Sequence, residues 1–326
     1  MKTITKLIYA VLAVVSLATG AVTAQGALND LFVSINGDAN NGNGSVNEYT
    51  PTGVQSLFAS GLSEPRGVAF DHFGNLFVAN NFFDDPSQTF QLTIVKITPE
   101  GVQSTFATLD GNLFGQGMTF DRAGNLFVVA QDANDLNFAS TIYKFTPGGI
   151  QSTFGTLPFQ SFALAFDSAG DLFAACAGVP DVANSASIYK FTPDGTRSVF
   201  ADQSAFGPFN GPIGLAFDRF GNLFSSVVAA TPAGTDTIVK FTPNGVESTF
   251  ATDLDWPWGM AFDRNGNLFV AERGEFAPPG DVLTFTPDGN GTVFAPDLDS
   301  PRFLAFQLRP APRPRPTPHP RPTSRP

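Results

Sequence analysis

Short apolar runs of four to six residues recur along this chain, and clusters of Gly, Asn, Asp, Pro and Ser separate them. The clearest runs read Leu-Phe-Val-Ala, as at 76–79 and 268–271. Runs of this length between turn-forming residues predict β-strands. After the first 24 residues, no helical spacing of apolar positions stands out. We therefore predict an all-β protein.

Two phrases alternate along the chain. One ends in Phe-Asp and returns at steps of 44 to 51 residues, at Phe70, Phe120, Phe166, Phe217 and Phe262, with Phe306-Gln307 as a degraded sixth copy. The other reads Lys-Phe-Thr-Pro-x-Gly, with full or variant copies at 48–53, 96–101, 144–149, 190–195, 240–245 and 284–289. A fixed period of this length, built from short strands, is the signature of propeller blades. Six copies predict a six-bladed β-propeller with four antiparallel strands, a to d, in each blade.

The two ends of the repeat region complement each other. Residues 31–34 match strand b without a preceding strand a, whereas residues 301–306 match strand a with nothing after it. We expect the last blade to combine N-terminal strands b to d with the C-terminal strand a, which would remove the free edges of an open ring.

In the first full blade, the pattern predicts strand a at 65–70, b at 76–79, c at 93–97 and d at 102–107. Alternation predicts that one face of each sheet packs on the next blade. The strand d phenylalanines are predicted to fill these interfaces: Phe58, Phe106, Phe154, Phe200, Phe250 and Phe294. The aspartates that follow strand a are predicted to lock turns, since five equivalent copies around a ring cannot converge on one substrate: Asp71, Asp121, Asp167, Asp218 and Asp263.

Residues 1–24 have the basic start, apolar stretch and small-residue cleavage site of a secretory signal, with a transmembrane anchor as the alternative. Residues 25–307 form the predicted propeller, and 308–326 a disordered Pro/Arg tail. We expect a secreted, periplasmic or cell-surface protein without a membrane span once the signal is removed.

Cys176 is the single cysteine, so no intramolecular disulfide can form, and we interpret it as a small buried residue that fills space in the core.

The net charge of −11 conceals an asymmetry. Of the 18 basic residues, 2 lie in the predicted signal and 5 in the tail, so the propeller carries 11 bases and all 29 acids, a net charge of −18. Such an acidic surface argues against nucleic acid and anionic membranes as partners.

The phrase Pro-x-Gly-x-Ala-Phe-Asp-x-x-Gly-Asn-Leu-Phe-Val-Ala resembles the NHL repeat. Residues 29–307 as a whole resemble the six-bladed propellers that include streptogramin lyases and gluconolactonase/regucalcin-like proteins. This resemblance implies two enzymatic functions. Gluconolactonase-like members hold a metal through Glu, Asn and Asp side chains on the innermost strands, and the lyases use histidines as acid and base.

Alignment on Phe-Asp places a different ring at the metal-binding positions: Arg66, Gln116, Phe162, Ile213, Trp258 and Arg302. None is a carboxylate, whereas calcium takes six to eight oxygen ligands. Glu64 and Asn210 lie nearby and could rebuild a site in a shifted register, but we interpret both as surface-loop residues. The two histidines are His72, in a turn, and His319, in the tail, so paired acid/base chemistry is not expected.

The b-to-c connections vary in length and wording, which is typical of a binding face. The first of them, 36–45, faintly resembles a calcium loop but has Asp38 as its single carboxylate, so a polar connection is the preferred interpretation. Aromatic residues are concentrated at this end: Phe82, Phe83, Phe90, Phe114, Phe138, Phe159, Phe206, Phe209, Trp256 and Trp258. Packing between blades is the alternative for each.

These features predict a binding or interaction scaffold for an extracellular glycan or protein, without a resident cofactor. The candidate ligand-binding residues are Trp256, Trp258, Arg66, Gln116, Arg302 and Asn210. A metal-dependent lactonase, with calcium, or a lyase acting at the channel mouth is the alternative. The sequence does not determine the oligomeric state.

Overall fold

A computed structural model describes residues 30–37, 42–179, 182, 185–207, 210–229, 236–274 and 279–307. The predicted signal and tail, residues 38–41 of the first loop, and Phe209 lie outside these ranges. Within them the protein is all-β, apart from one 3-10 turn at Gln203–Ala205. No described helix is long and apolar enough to cross a membrane.

Six four-stranded antiparallel sheets form the blades, and each is named here by its order along the ring. Blade 1 contains β4 (Glu64–Phe70), β5 (Leu76–Asp84), β6 (Thr89–Ile97) and β7 (Gln103–Leu109). Blade 2 contains β8 (Leu113–Phe120), β9 (Leu126–Asp132), β10 (Ser140–Phe145) and β11 (Gln151–Leu157). Blade 3 contains β12 (Ser161–Phe166), β13 (Leu172–Cys176), β14 (Ser187–Phe191) and β15 (Arg197–Ala201).

Blade 4 contains β16 (Asn210–Phe217), β17 (Leu223–Ala229), β18 (Asp236–Phe241) and β19 (Glu247–Leu254). Blade 5 contains β20 (Pro257–Phe262), β21 (Leu268–Glu272), β22 (Gly280–Phe285) and β23 (Gly291–Leu298). Blade 6 contains β24 (Pro301–Phe306), β1 (Leu31–Ile35), β2 (Gly44–Tyr49) and β3 (Gln55–Leu62). The predicted number of blades and strands is confirmed.

The ring closes as the sequence predicts. The sixth sheet has the order β24-β1-β2-β3, and β24 pairs antiparallel with β1. The innermost strand of each blade contacts that of the next, and β24 contacts β4 to complete the circle. The terminal segments of the repeat region therefore share one sheet.

The blades are joined by a repeated trio of phenylalanines. In blade 1, the ring of Phe77 on strand b lies 5.0 Å from Phe106 on strand d and 5.1 Å from Phe120 on the next blade, both edge to face. Phe32, Phe127, Phe173, Phe224 and Phe269 occupy the equivalent position in the other blades. Edge-to-face pairs at this spacing stabilise by about 0.5–1.5 kcal/mol beyond the area they bury.

The prediction that one face of each sheet is packed is too simple. Strand b is buried on both faces, as at Leu31–Ile35, because a neighbouring blade covers each side. Strand d instead begins with three exposed residues at the outer edge, as at Gln103–Leu109.

The turn aspartates act as predicted. The carboxylate of Asp71 accepts the N–H of Phe73 at 2.9 Å and that of Asn75 at 2.8 Å, and it also accepts the Asn75 side-chain amide at 2.7 Å. Gly74, in the same turn, has a φ of 85°, which glycine adopts without steric cost. This turn chemistry occupies the carboxylates at the regular end of the ring, where the a-to-b and c-to-d turns lie.

The innermost strands approach one another more closely than side chains allow. A Cβ on Gly67 would lie 2.2 Å from the carbonyl oxygen of Gln116, and one on Gly214 would lie 2.0 Å from that of Trp258. Glycine occupies this position in four of the six blades, at Gly67, Gly117, Gly214 and Gly259, and lets these strands approach their neighbours closely. The residue before each such glycine is the one that the alignment assigns to the channel ring.

One predicted loop is wrong. Residues 80–91 continue strands β5 and β6 as a long hairpin, with Phe83 paired to Phe90 in register and their rings 4.9 Å apart. Aromatic pairing across the ladder extends the sheet beyond the period of the repeat.

Candidate functional site

The variable-loop end of the channel, where strands b and c and strands d and a are connected, carries the candidate site. Three of the ring positions come from consecutive blades: Trp258 from blade 5, Arg302 from blade 6 and Arg66 from blade 1. Gln116 follows from blade 2. Blades 3 and 4 complete the circle with Phe162 and Ile213. The ring therefore has a polar and an apolar side.

Arg66 anchors a buried hydrogen-bonded chain. Its Nε and Nη2 donate to one carboxylate oxygen of Glu64 at 3.2 and 2.6 Å, and Nη1 donates to the Gln116 side-chain oxygen at 3.1 Å. Gln116 donates in turn to Gln131 at 3.2 Å, and Gln131 donates to the Ser161 carbonyl at 3.1 Å. The chain links blades 1, 2 and 3 across the ring.

Glu64 is not a surface-loop residue, contrary to the sequence interpretation. It begins β4 and is buried against Arg66. The sequence places it near a proline that begins a strand, but its distance from Arg66 depends on the fold. A buried ion pair of this geometry balances one arginine with one carboxylate.

Trp258 stacks with two arginines of the site. The guanidinium carbon of Arg302 lies 4.5 Å from the centre of its rings and that of Arg66 lies 5.1 Å away. Phe162 and Phe303 meet the same side chain edge to face at 5.3 and 6.1 Å. Trp258 is buried, so it orients the arginines and leaves no open face for a stacked ligand.

Arg302 is 3% exposed, and its Nε and Nη1 have no hydrogen-bond partner. Burial, reinforced by the charges of Arg66 and Arg273, lowers the pKa of Arg302 to about 8, while Glu64 acts in the opposite direction. Burial also lowers the pKa of Arg66, although Glu64 opposes the shift. Since arginine holds its proton strongly, these shifts express positive charge that the protein does not fully compensate.

A second layer of the site forms the rim above Trp258. The guanidinium carbon of Arg273 lies 4.8 Å from the centre of the Trp256 rings, and the Arg273 N–H donates to the Trp256 carbonyl at 3.1 Å. Asp236 accepts the Trp256 N–H at 2.8 Å. Trp256 has a φ of 52°, an uncommon conformation for a bulky residue, and its indole nitrogen is buried without a partner.

Glu272 lies in the same rim and accepts the N–H of Asp255 at 3.0 Å. Burial, together with the carboxylates of Asp255, Asp281 and Asp236, raises its pKa to about 7, although the hydrogen bond from Asp255 opposes the shift. Two carboxylates, Asp236 and Glu272, thus hold the segment that carries Trp256.

Asn210 lies apart from this cluster in the hydrogen-bond pattern. Its side chain donates to the Phe206 carbonyl at 2.9 Å, and its own carbonyl accepts from Gln203 at 2.9 Å. It is the first residue of β16 and half-buried, so the surface-loop interpretation is wrong for Asn210 as well. Its contacts shape the crossing from blade 3 to blade 4.

The predicted aromatic residues divide between rim and core. Phe82 and Phe138 are exposed by 39% and 44%. Phe206 is buried, and Phe90 packs on both Phe83 and Phe114. Exposed rings therefore stand at the variable-loop end of the first and second blades, the blades that also carry Arg66 and Gln116.

Apolar side chains narrow the channel below the ring. A cavity of about 60 Å³ is lined by residues from all six innermost strands, among them Met118, Leu215, Met260 and Phe303. Such a volume holds about two water molecules. Arg66, Arg302 and Arg273, called the arginine cluster here, therefore lie at the variable-loop end.

In the described part of the chain, no group of three or more His, Cys, Asp or Glu residues is arranged to hold a metal ion.

A larger cavity, of about 860 Å³, opens at the regular end across blades 2, 3 and 4. Its rim includes Asp121, Asp167 and Asp218. The carboxylate oxygens of Asp121 and Asp218 are engaged in their own turns at 2.6–2.8 Å. Because the turns already use these groups, we favour the arginine cluster as the candidate site although this cavity is larger.

Comparison with known proteins places the fold. No model of a protein family matches the sequence, and no curated protein matches it. Among solved structures, virginiamycin B lyase from Staphylococcus aureus matches with 17% identity over 74% of this chain and 77% of that chain, at a TM-score of 0.50. A gluconolactonase from Xanthomonas campestris matches with 18% identity over 72% and 77%, at 0.50.

A protein from Lactobacillus plantarum matches with 11% identity over 86% of this chain and 99% of that chain, at a TM-score of 0.56. Identities this low establish the fold and leave function to the site itself. The chain therefore has the six-bladed β-propeller fold of these lyase and lactonase structures, which confirms, at the level of the fold, the resemblance drawn from its repeats.

Proposed function

We propose that this protein is a binding scaffold that acts outside the cytoplasm, secreted, periplasmic or at the cell surface, and takes a glycan or protein ligand at its variable-loop end. The observation that carries the proposal is the convergence of Trp258, Arg302 and Arg66 at one mouth of the channel, at the same end of the ring as the exposed side chains of Phe82 and Phe138. Cations oriented by a buried indole, together with exposed phenyl rings on a rigid scaffold, suit recognition.

The chemistry of these groups supports binding over catalysis. The guanidinium groups of Arg66 and Arg302 and the indole of Trp258 orient and hold a ligand, and arginine keeps its proton strongly. Glu272, whose pKa is raised to about 7, lies in the rim, where its carboxylate accepts the N–H of Asp255. His72 lies in the turn beside Phe73 at the regular end, remote from the cluster. The residues that converge at the channel mouth therefore form a recognition surface.

The full chain should be screened against a glycan panel, with and without millimolar calcium. We expect selective, calcium-independent binding that weakens at least tenfold in Phe82→Ala and Phe138→Ala. The control is Phe220→Ala, which removes a ring that is 69% exposed at the regular end. Trp258→Ala is a poor first test, because removing a buried aromatic side chain costs about 3–5 kcal/mol in stability.

Equal weakening of glycan binding by Phe220→Ala would contradict binding at the variable-loop end and overturn the proposal. Binding that requires calcium, together with a calcium-dependent rise in melting temperature, would favour the metal-dependent alternative, because a bound ion stabilises the folded state by mass action.

A further inference from the structure

The three arginines of the channel mouth are not explained by the repeat. Seven of the 11 basic residues in the propeller occupy repeated structural positions, either over the strand b phenylalanine or directly after the turn aspartate: Lys96, Lys144, Lys190, Lys240, Arg122, Arg219 and Arg264. Of the remaining four, Arg197 begins β15, whereas Arg66, Arg273 and Arg302 lie at the channel mouth, outside these repeated positions. In a propeller with net charge −18, three cations gathered at one point call for a specific cause.

Blades 1 and 6 provide an internal comparison. Both begin strand a with Pro-Arg, at Pro65-Arg66 and Pro301-Arg302. In blade 1 the residue before proline is Glu64, whose carboxylate takes two N–H groups of Arg66. In blade 6 that residue is Ser300, with a φ of 53°, and it provides no carboxylate. Arg302 has the position of Arg66 without its counter-ion.

The buried polar atoms left without partners at this end include donors that need an acceptor. Arg302 contributes Nε and Nη1, and the neighbouring blade contributes the indole nitrogen of Trp256. A buried donor without an acceptor costs about 1–3 kcal/mol, and more when it is charged. An oxyanion of the ligand would satisfy the two Arg302 donors together.

The charge balance points the same way. Among the described residues, Glu64 forms an ion pair with Arg66, whereas Arg302 forms none; the carboxylates of Asp236, Asp255, Asp281 and Glu272 lie together in the rim. The positive charges of Arg66 and Arg273 each depress the pKa of Arg302, while Glu64 alone among the charged neighbours raises it. A bound anion would relieve this repulsion, because each charge-assisted hydrogen bond is about twice as strong as a neutral one.

We propose that Arg302, held on Trp258 and flanked by Arg66, binds the carboxylate of an acidic saccharide, in the way that Arg66 binds the carboxylate of Glu64. This inference rests on the proposed binding function and assigns its ligand class. A carboxylate is favoured over a phosphate because the equivalent arginine of blade 1 already holds a carboxylate in this fold. The sugar body would extend to the exposed Phe82 and Phe138.

Glucuronate and glucose are suitable probes, because they share a ring and differ in the carboxylate. Each is titrated into the full chain at constant ionic strength, with intrinsic fluorescence and melting temperature as readouts. The fluorescence reports directly, since the two tryptophans, Trp256 and Trp258, both stack with arginines of the site. We expect glucuronate to shift both readouts at millimolar concentration and glucose to shift neither.

Arg302→Gln is expected to weaken the response to glucuronate at least tenfold and to raise the melting temperature without ligand, because an unpaired buried charge is removed. Arg219→Gln is the matched control, since it makes the same charge change on an exposed side chain at the regular end. Inorganic phosphate is the third arm and is expected to bind more weakly than glucuronate.

An unchanged glucuronate response in Arg302→Gln, or an equal response to glucose, would overturn the inference. A lower melting temperature in Arg302→Gln with no glucuronate response in the parent would make Arg302 a structural residue. Selective binding of neutral glycans on the panel would leave the proposed function intact while rejecting the carboxylate site. Tighter phosphate binding would reject the carboxylate assignment.

Discussion

Ser34 and Phe303 are joined by two buried hydrogen bonds across 269 residues of sequence. The Ser34 hydroxyl accepts the N–H of Phe303 at 3.0 Å and donates to its carbonyl at 3.2 Å. The contact lies where the register of β1 and β24 shifts between Val33 and Ile35. The hydroxyl thus replaces ladder bonds at the point where the two ends of the repeat region meet.

Replacing Ser34 with Ala should weaken ring closure. Both backbone groups of Phe303 would lose a buried partner, so we expect a loss of about 2–3 kcal/mol in the free energy of unfolding. The midpoint of urea denaturation measures it. Ser56→Ala is the control, because Ser56 is exposed on β3. Identical midpoints for the two variants would show that this contact does not hold the ring together.

The glycines of the innermost strands should differ sharply from those of the turns. In Gly214→Ala the new Cβ would meet the Trp258 carbonyl oxygen at 2.0 Å, so we expect a loss above about 3 kcal/mol and altered tryptophan fluorescence. In Gly170→Ala nothing lies within 4 Å, and the φ of 91° alone costs about 1 kcal/mol. Thermal unfolding of both variants tests the difference; equal costs would contradict crowding around the channel.

The turn aspartates should contribute to stability through geometry more than charge. Asp263 accepts the N–H groups of Asn265 and Asn267, each at 2.8 Å. Asp263→Ala removes these acceptors and should cost about 1–2 kcal/mol, whereas Asp263→Asn keeps one side-chain oxygen and should cost less. Chemical denaturation at neutral pH ranks them. Equal losses in Asp263→Asn and Asp263→Ala would assign the effect to charge.

Glu272 should make stability depend on pH. Its pKa is about 7 in the folded protein, against 4.5 for an ordinary glutamate, so the folded state favours the protonated form. The stability that Glu272 contributes is therefore fully present below about pH 4.5, is lost as the pH rises towards 7 and stays constant above that. Glu272→Gln should therefore match the parent at pH 4.5 and exceed it by about 1 kcal/mol at pH 8, after allowance for partial exposure.

Melting temperatures across this pH range test the prediction for Glu272. Glu247→Gln is the control, since it removes the same charge from an exposed position on β19. A parallel pH profile for Glu272→Gln and the parent would show that Glu272 is ionised without cost.

Cys176 should be inert while the protein is folded. It is fully buried, and burial raises the pKa of its thiol to about 12, so almost no thiolate forms at neutral pH. We expect a thiol reagent to react only at the rate at which the protein unfolds, and faster as denaturant is added. Rapid stoichiometric labelling of the native protein would contradict this.

Much of the fold can be predicted from the repeat, because each blade repeats its own turn and packing chemistry. The Phe-Asp phrase places Phe120 against Phe77 of the preceding blade, a contact that each copy of the repeat makes again, and its aspartate locks the turn that follows. The repeat does not predict the long hairpin of β5 and β6, because the pairing of Phe83 with Phe90 lies outside the repeated phrase. Pairing across a ladder depends on the partner strand, which periodicity does not report.

The candidate site divides in the same way. Aligning the copies brings Arg66, Gln116, Trp258 and Arg302 to one ring. The partners of these residues do not follow from the alignment: Glu64 lies against Arg66 through the fold, and Gln131, which connects Gln116 to Ser161 by hydrogen bonds, carries no signal in the repeat. The serine that replaces Glu64 in blade 6 is a signal that the same alignment contains.

The number of blades, the closure of the ring and the positions that face the channel follow from the sequence, because a local pattern repeated six times specifies them. Which side chains meet at the channel mouth, and which lack partners, depends on the assembled ring. Arg66 with Glu64, and Arg302 over Trp258 with two nitrogen atoms unpaired, are relations between blades. Burial and charge balance depend on every neighbour at once, so no single copy of the repeat contains them.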